Sequence, residues 1–92
     1  RFYPYNYNVF KIYPNPFNPS INIEITSVGE PITDVSIISF SGQFVQSIFK
    51  GKIFNSTQTI SWEPEDLSSG IYLVRLMNDK NQSRYKKITY LK

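Results

Sequence analysis

Cysteine, histidine and alanine are all absent from the 92 residues of this chain. Without cysteine no disulfide staples the fold, and without histidine as well structural zinc loses nearly all of its ligands. The same two absences exclude Ser-His-Asp and Cys-His catalysis. No apolar run approaches the roughly 20 residues that a helix needs to span a bilayer, and no glycine-rich loop is there to cradle phosphate. Charge is sparse too, at 18% of residues with a formal net charge of +3. A chain of this length forms one domain that buries only about 60–65% of the surface its unfolded form exposes. The apolar core has to carry the fold unaided.

What is present favours strands. Isoleucine is the commonest residue, and seven Phe, seven Tyr and one Trp supply large rings that bury about 150–250 Å² each. β-branched and aromatic side chains lose rotamer freedom in helices and fit a pleated surface, so the composition reads as all-β. Because the first residue is Arg1 rather than Met, the chain is read as a soluble piece of a longer protein, with any signal peptide upstream.

The hydrophobic pattern predicts about seven short strands separated by turn signals, the pattern of a β-sandwich. They are Val9 to Tyr13, Ile21 to Thr26, Val35 to Phe40, Phe44 to Phe49, Thr57 to Trp62, Gly70 to Met77 and Ser83 to Leu91. Gln58, Ile60 and Trp62 fall on one face of the fifth, Ser41-Gly42 suits a hairpin tip, and Gly51-Lys52 breaks the fourth. No internal repeat and no helix longer than one turn is expected. Between the first two strands, Tyr13-Pro14-Asn15-Pro16-Phe17-Asn18-Pro19-Ser20 excludes helix and central strand alike, because its prolines fix φ and remove N–H donors. It reads as a stiff, non-repetitive connection, and Pro16 to Pro19 also fits the P-x-x-P pattern of polyproline ligands.

Few residues offer chemistry. Glu63-Pro64-Glu65-Asp66 is the only acidic cluster; it reads as a solvated loop, with calcium binding or glycosidase-type catalysis as alternatives. Lys80, Arg84, Lys86, Lys87 and Lys92 gather positive charge near the C-terminus, with Tyr85 and Tyr90 among them. Lysines protect an exposed edge strand from aggregation, or mark a surface for a protein or anionic glycan; single-stranded nucleic acid is the third reading. Tyr3, Tyr5 and Tyr7 alternate with Pro4, Asn6 and Asn8, which suits a linker, an edge strand or a sugar-stacking platform. Asn55-Ser56-Thr57 and Asn81-Gln82-Ser83 match the glycosylation pattern, a short pattern that arises by chance in an Asn- and Ser-rich chain.

Four blocks, in order, carry a family resemblance. Residues Tyr13 to Ser20 followed by the isoleucine strand resemble the opening of the C-terminal sorting domain of the type IX (Por) secretion system. Val35 to Val45 is similar to that family's hairpin with glycine at its tip. Ser69 to Leu76 resembles its Gly-x-Tyr strand, and Lys86 to Lys92 its lysine-bearing final strand. A related immunoglobulin-like module of flagellar hook-capping proteins shares the middle two blocks but not the proline-asparagine opening. The loop after Trp62 departs from the family, reading Glu63-Pro64-Glu65-Asp66-Leu67 where many relatives have an Asp-Gly turn, so that turn is expected to be built differently.

The resemblance implies an immunoglobulin-like β-sandwich of about seven antiparallel strands over residues 9–92, with residues 1–8 a linker or the tail of a preceding domain. It implies a folded address label, not an enzyme: a larger cargo domain precedes it, the outer-membrane secretion machinery reads it, and a sortase-like peptidase commonly removes it. The cut is expected before Pro14 or upstream of Arg1, and the cargo would pass through the periplasm to be secreted or held at the cell surface. The terminal strand, with Lys86, Lys87 and Lys92 outward, is the expected recognition surface, its edge available for main-chain pairing. Pro14, Asn15, Pro16, Gly70 and Tyr72 are expected to be structural. No cofactor, metal, nucleic acid or membrane-spanning segment is expected, and the domain should be a monomer. The rival reading is an accessory carbohydrate-binding or adhesive module that uses Tyr3, Tyr5, Tyr7 or exposed Phe residues.

Overall fold

The computed structural model describes residues 7–92, with side chains from Val9 onward. Seven strands form, one for each stretch expected: β1 (Tyr7–Tyr13), β2 (Ile21–Val28), β3 (Ile32–Ser39), β4 (Phe44–Ile53), β5 (Ser56–Trp62), β6 (Gly70–Asn78) and β7 (Ser83–Tyr90). They make a three-stranded sheet in the order β1-β2-β5 and a four-stranded sheet in the order β4-β3-β6-β7. Every pairing between strands is antiparallel. No helix occurs among the described residues, and the expected immunoglobulin-like sandwich is the architecture observed.

Alternation along each strand decides which residues meet between the sheets. In β2 every second residue is buried, giving Ile21, Ile23, Ile25 and Ser27. Ile23 lies between Ile12 and Ile60, Ile25 pairs with Phe10, and Ile21 pairs with Trp62. The facing sheet contributes Ile32, Val35, Ile37, Ile53, Tyr72, Val74, Leu76, Ile88 and Tyr90 to the same cluster. At about 1.5–3 kcal/mol for each fully buried aliphatic side chain, this single cluster supplies the stability that no disulfide provides. Trp62 also spans the sheets with its polar edge, donating from Nε1 to Gln46 Oε1 at 3.3 Å.

Two details differ from the sequence pattern. Gly51-Lys52 does not end β4, which runs on to Ile53 through register shifts against β3. Bulges absorb the extra residues of the longer strand and return Ile53 to the core opposite Ile32. On β5, Trp62 is buried and Ile60 half-buried as expected, whereas Gln58 is exposed.

The proline block holds the larger surprise. Phe17, at its centre, is 1% exposed. Its ring stacks on Tyr90 with centroids 5.1 Å apart and lies 6.0 Å from Trp62. Phe17 therefore plugs one end of the sandwich between the two sheets. The P-x-x-P reading is overturned, because a polyproline ligand has to present its middle residues and Phe17 is enclosed.

Candidate recognition surface on the terminal strand

The last strand, β7, lies at the edge of the four-stranded sheet. Ile88 and Tyr90 point into the core, so alternation sends Lys86 to the same side and Tyr85, Lys87 and Thr89 to the outer face. Lys86 is exposed like Lys87 but leaves the strand on its inward side. Its ammonium donates to the Phe10 carbonyl at 2.7 Å and sits 5.6 Å from the centroid of the Phe10 ring. Lys86 clamps β1 of one sheet to β7 of the other. Lys87 is exposed on the outer face opposite Leu73, and Lys92 follows the strand, its backbone N–H donating to Ser69 Oγ at 2.7 Å.

The outer edge of β7 is partly occupied by the proline block. Asn15 acts as a short piece of backbone: its Oδ1 accepts from Thr89 N at 2.9 Å and its Nδ2 donates to Lys87 O at 3.3 Å. Phe17 N donates to Thr89 O at 3.0 Å and Leu91 N to Phe17 O at 3.1 Å, a parallel bridge beside Tyr90. Full-length main-chain addition to β7 is therefore ruled out in this state. The peptide bonds before Pro14, Pro16 and Pro19 are cis, and Pro14 and Pro16 flank Asn15 without donors of their own that would need partners on this edge.

Gly70 and Tyr72 behave as structural residues. Gly70 opens β6 at a φ of 158° with open space where a Cβ would stand, so it is backbone conformation rather than room that favours glycine. Tyr72 is 8% exposed, and its hydroxyl donates to Ser68 O at 2.7 Å, tying β6 to the loop before it. In that loop Asp66 itself takes a positive φ of 59°, which is how the turn forms without the glycine of the family pattern.

Elsewhere, polar clusters are internally satisfied. A cavity of about 100 Å³ at the β6–β7 turn is lined by Glu30, Arg84 and Asn78 among others. Asn78 donates to Glu30 Oε2 and Gln82 Oε1 and accepts from the Lys80 and Gln82 N–H groups, so it shapes the turn. Asp34 pairs with Lys50 at 3.1 Å and accepts from Ser36 Oγ at 2.5 Å. Partial burial pushes its carboxyl up, but the Ser36 and Lys50 hydrogen bonds, with the charges of Lys50 and Arg75, outweigh that and hold it below its ordinary range. Among the described residues no three acids are grouped to hold a metal ion, and that includes Glu63, Glu65 and Asp66. Tyr3 and Tyr5 lie outside the described residues and the Tyr7 side chain is not described, so the sugar-stacking platform falls outside the structure.

The chain is a small all-β sandwich whose last strand is stapled by its own proline-asparagine opening, with lysine on its outer face. The chain belongs to the secretion system C-terminal sorting domain family, whose sequence model matches residues 11–90. It is a sorting signal domain of the type IX secretion system, a cargo-attached tail that engages the secretion machinery, and its cargo is secreted or displayed at the cell surface. No curated protein matches the chain at a significant level. No helix among the described residues is long and apolar enough to cross a membrane.

Proposed function

We propose that the outer-membrane secretion machinery reads this domain through outward side chains of the terminal strand, Lys87 foremost, together with Lys92. The observation that carries this reading is the division of labour among the lysines: both Lys86 and Lys87 are exposed, but Lys86 is engaged by the Phe10 carbonyl, while Lys87 stands on the outer face with no such partner among the described residues. With the edge amides near Thr89 taken by Asn15 and Phe17, side chains rather than an added strand supply selectivity. Cargo passes through the periplasm before this step. The domain is not an enzyme, and the sortase-like peptidase of the machinery makes the cut. Residues 7–13 are paired with β2 along their whole length, and a peptidase needs its substrate extended and unpaired. That pairing favours a cut upstream of Tyr7, a narrower assignment than anywhere before Pro14.

The test is a reporter fused ahead of this chain in a host that carries the machinery. Truncating the chain at Lys86 would remove Ile88 and Tyr90 from the core and confuse misfolding with lost recognition. Substitution avoids that: Lys87→Glu with Lys92→Glu should lower export at least tenfold while the melting temperature holds. Undiminished export by the folded double variant would sink the reading.

A further inference from the structure

The outer face of the four-stranded sheet carries a band of apolar side chains that the core does not use. Strand register aligns Phe44, Ile38, Leu73 and Lys87 in one row across all four strands, β4 to β7. Ile38 is buried at 4% yet stands outside the core cluster, which places it on this outer face beneath its neighbours. Beside the row lie Phe40, two residues beyond Ile38 at the hairpin tip, Ile71, two residues before Leu73, and Tyr85, two before Lys87. Phe40 is 66% exposed, Phe44 62% and Tyr85 55%. Half of the large hydrophobic residues exposed among the described residues thus share one face, namely Phe40, Phe44, Ile71 and Tyr85. Contiguous exposed apolar surface of this kind marks an interaction site.

Charge and area identify the occupant. Asp34 on this face is paired with Lys50. Neither Arg75 nor Lys87 forms a salt bridge among the described residues, although the charge of Arg75 acts on Asp34, and Arg75 Nε is buried without a hydrogen-bond acceptor. A second copy docked face to face would bring two sets of these cations into one interface, which is unfavourable. Taking about 200 Å² per aromatic side chain, the exposed parts of Phe40, Phe44 and Tyr85 offer roughly 350–400 Å², about half of the ~800 Å² per partner that a stable complex buries. The face suits a transient contact rather than a permanent one.

We propose that this outer face docks briefly on a protein surface of the secretion machinery that has an apolar centre and carboxylates at its rim. Phe40, Phe44 and Leu73 fill the centre, and Arg75 and Lys87 meet the carboxylates. The proposal rests on the sorting reading and extends it from the terminal strand to the whole sheet face.

The experiment uses the same reporter fusion with two separate variant pairs, Phe40→Ser with Phe44→Ser, and Ile71→Ser with Tyr85→Ser, each checked by thermal melting. Because the pairs sit on different strands, whichever melts as the parent does decides the matter. The expected result is at least a tenfold loss of export, while Val9→Ser with Phe54→Ser, similarly exposed residues away from this face, exports as the parent. Parental export by a folded face variant, or an equal loss in the Val9 and Phe54 control, overturns the proposal. Deleting residues 11–90 separates the two levels: export that survives the deletion overturns the sorting reading itself. Export lost on deletion, lost in Lys87→Glu with Lys92→Glu, but retained in both folded face variants, overturns the docking face alone.

Discussion

Replacing Phe17 with alanine should be among the most damaging single changes in the domain, although Phe17 sits in what looks like a loop. The ring is 1% exposed and touches Tyr90 of one sheet and Trp62 of the other, so truncation opens a cavity at the point where the two sheets close. A buried Phe→Ala change costs about 3–5 kcal/mol, and the site has little freedom to collapse because prolines stand on both sides. A domain of this size has about 5–14 kcal/mol of total stability, so roughly a fifth or more would be lost. At about 4–8 °C per kcal/mol for a small domain, the melting temperature should fall by roughly 12–40 °C. Circular dichroism melts and urea titration both read this, and the urea slope should stay constant if the unfolded state is unchanged. Phe44→Ala is the internal control: its ring is 62% exposed and the cost should stay within about 0.5 kcal/mol. A Phe17→Ala loss below about 1 kcal/mol would refute the view that this ring seals the sandwich.

Asn15→Ala removes a donor to Lys87 O and an acceptor for Thr89 N; at a solvent-accessible edge it should cost about 1–2 kcal/mol and speed hydrogen exchange at the Thr89 amide. Lys86→Met breaks the bond to Phe10 O and the contact with the Phe10 ring, so exchange should quicken across β1, whereas Lys87→Met should leave β1 exchange as it is. Tyr72→Phe keeps the packing but leaves Ser68 O without its partner, for a loss of about 0.5–1.5 kcal/mol by urea denaturation. Asp34 ionises below its ordinary range in the folded state, so the stability it contributes is complete above about pH 4 and is lost as pH falls through its folded value. Asp34→Asn should flatten that acid limb of the stability profile.

Much of the architecture was legible in the sequence because strands announce themselves through period two. Ile21, Ile23 and Ile25 leave no doubt about which side of β2 is inward, and alternating patterns of this kind locate all seven strands. Lys86 and Lys87 were legible by the same rule, since Ile88 and Tyr90 fix the inward side of β7, yet treating the lysines as one charged group hid the fact that neighbours in a strand face opposite ways. The role of Phe17 was harder to see. An aromatic among prolines and asparagines belongs to no periodic pattern, and its partners, Trp62 and Tyr90, lie far along the chain. The continuation of β4 past Gly51 was illegible for a related reason, because a bulge is set by the length of the neighbouring strand rather than by local residues. The outer-face row of Phe44, Ile38, Leu73 and Lys87 emerges only once register across four strands is known.

The seal that Phe17 makes joins the opening of the domain to its last strand. The groups it needs are Tyr90 beneath its ring, with Thr89 O and Leu91 N on either side of its backbone, all at the far end of the described strands. A polypeptide that stops before them has nothing on which to seat its proline block, and its Asn15 has no strand to mimic backbone for. Closure of the sandwich at this end is thus coupled to residues 89–91, so the opening of the domain locks only after its last strand is in place.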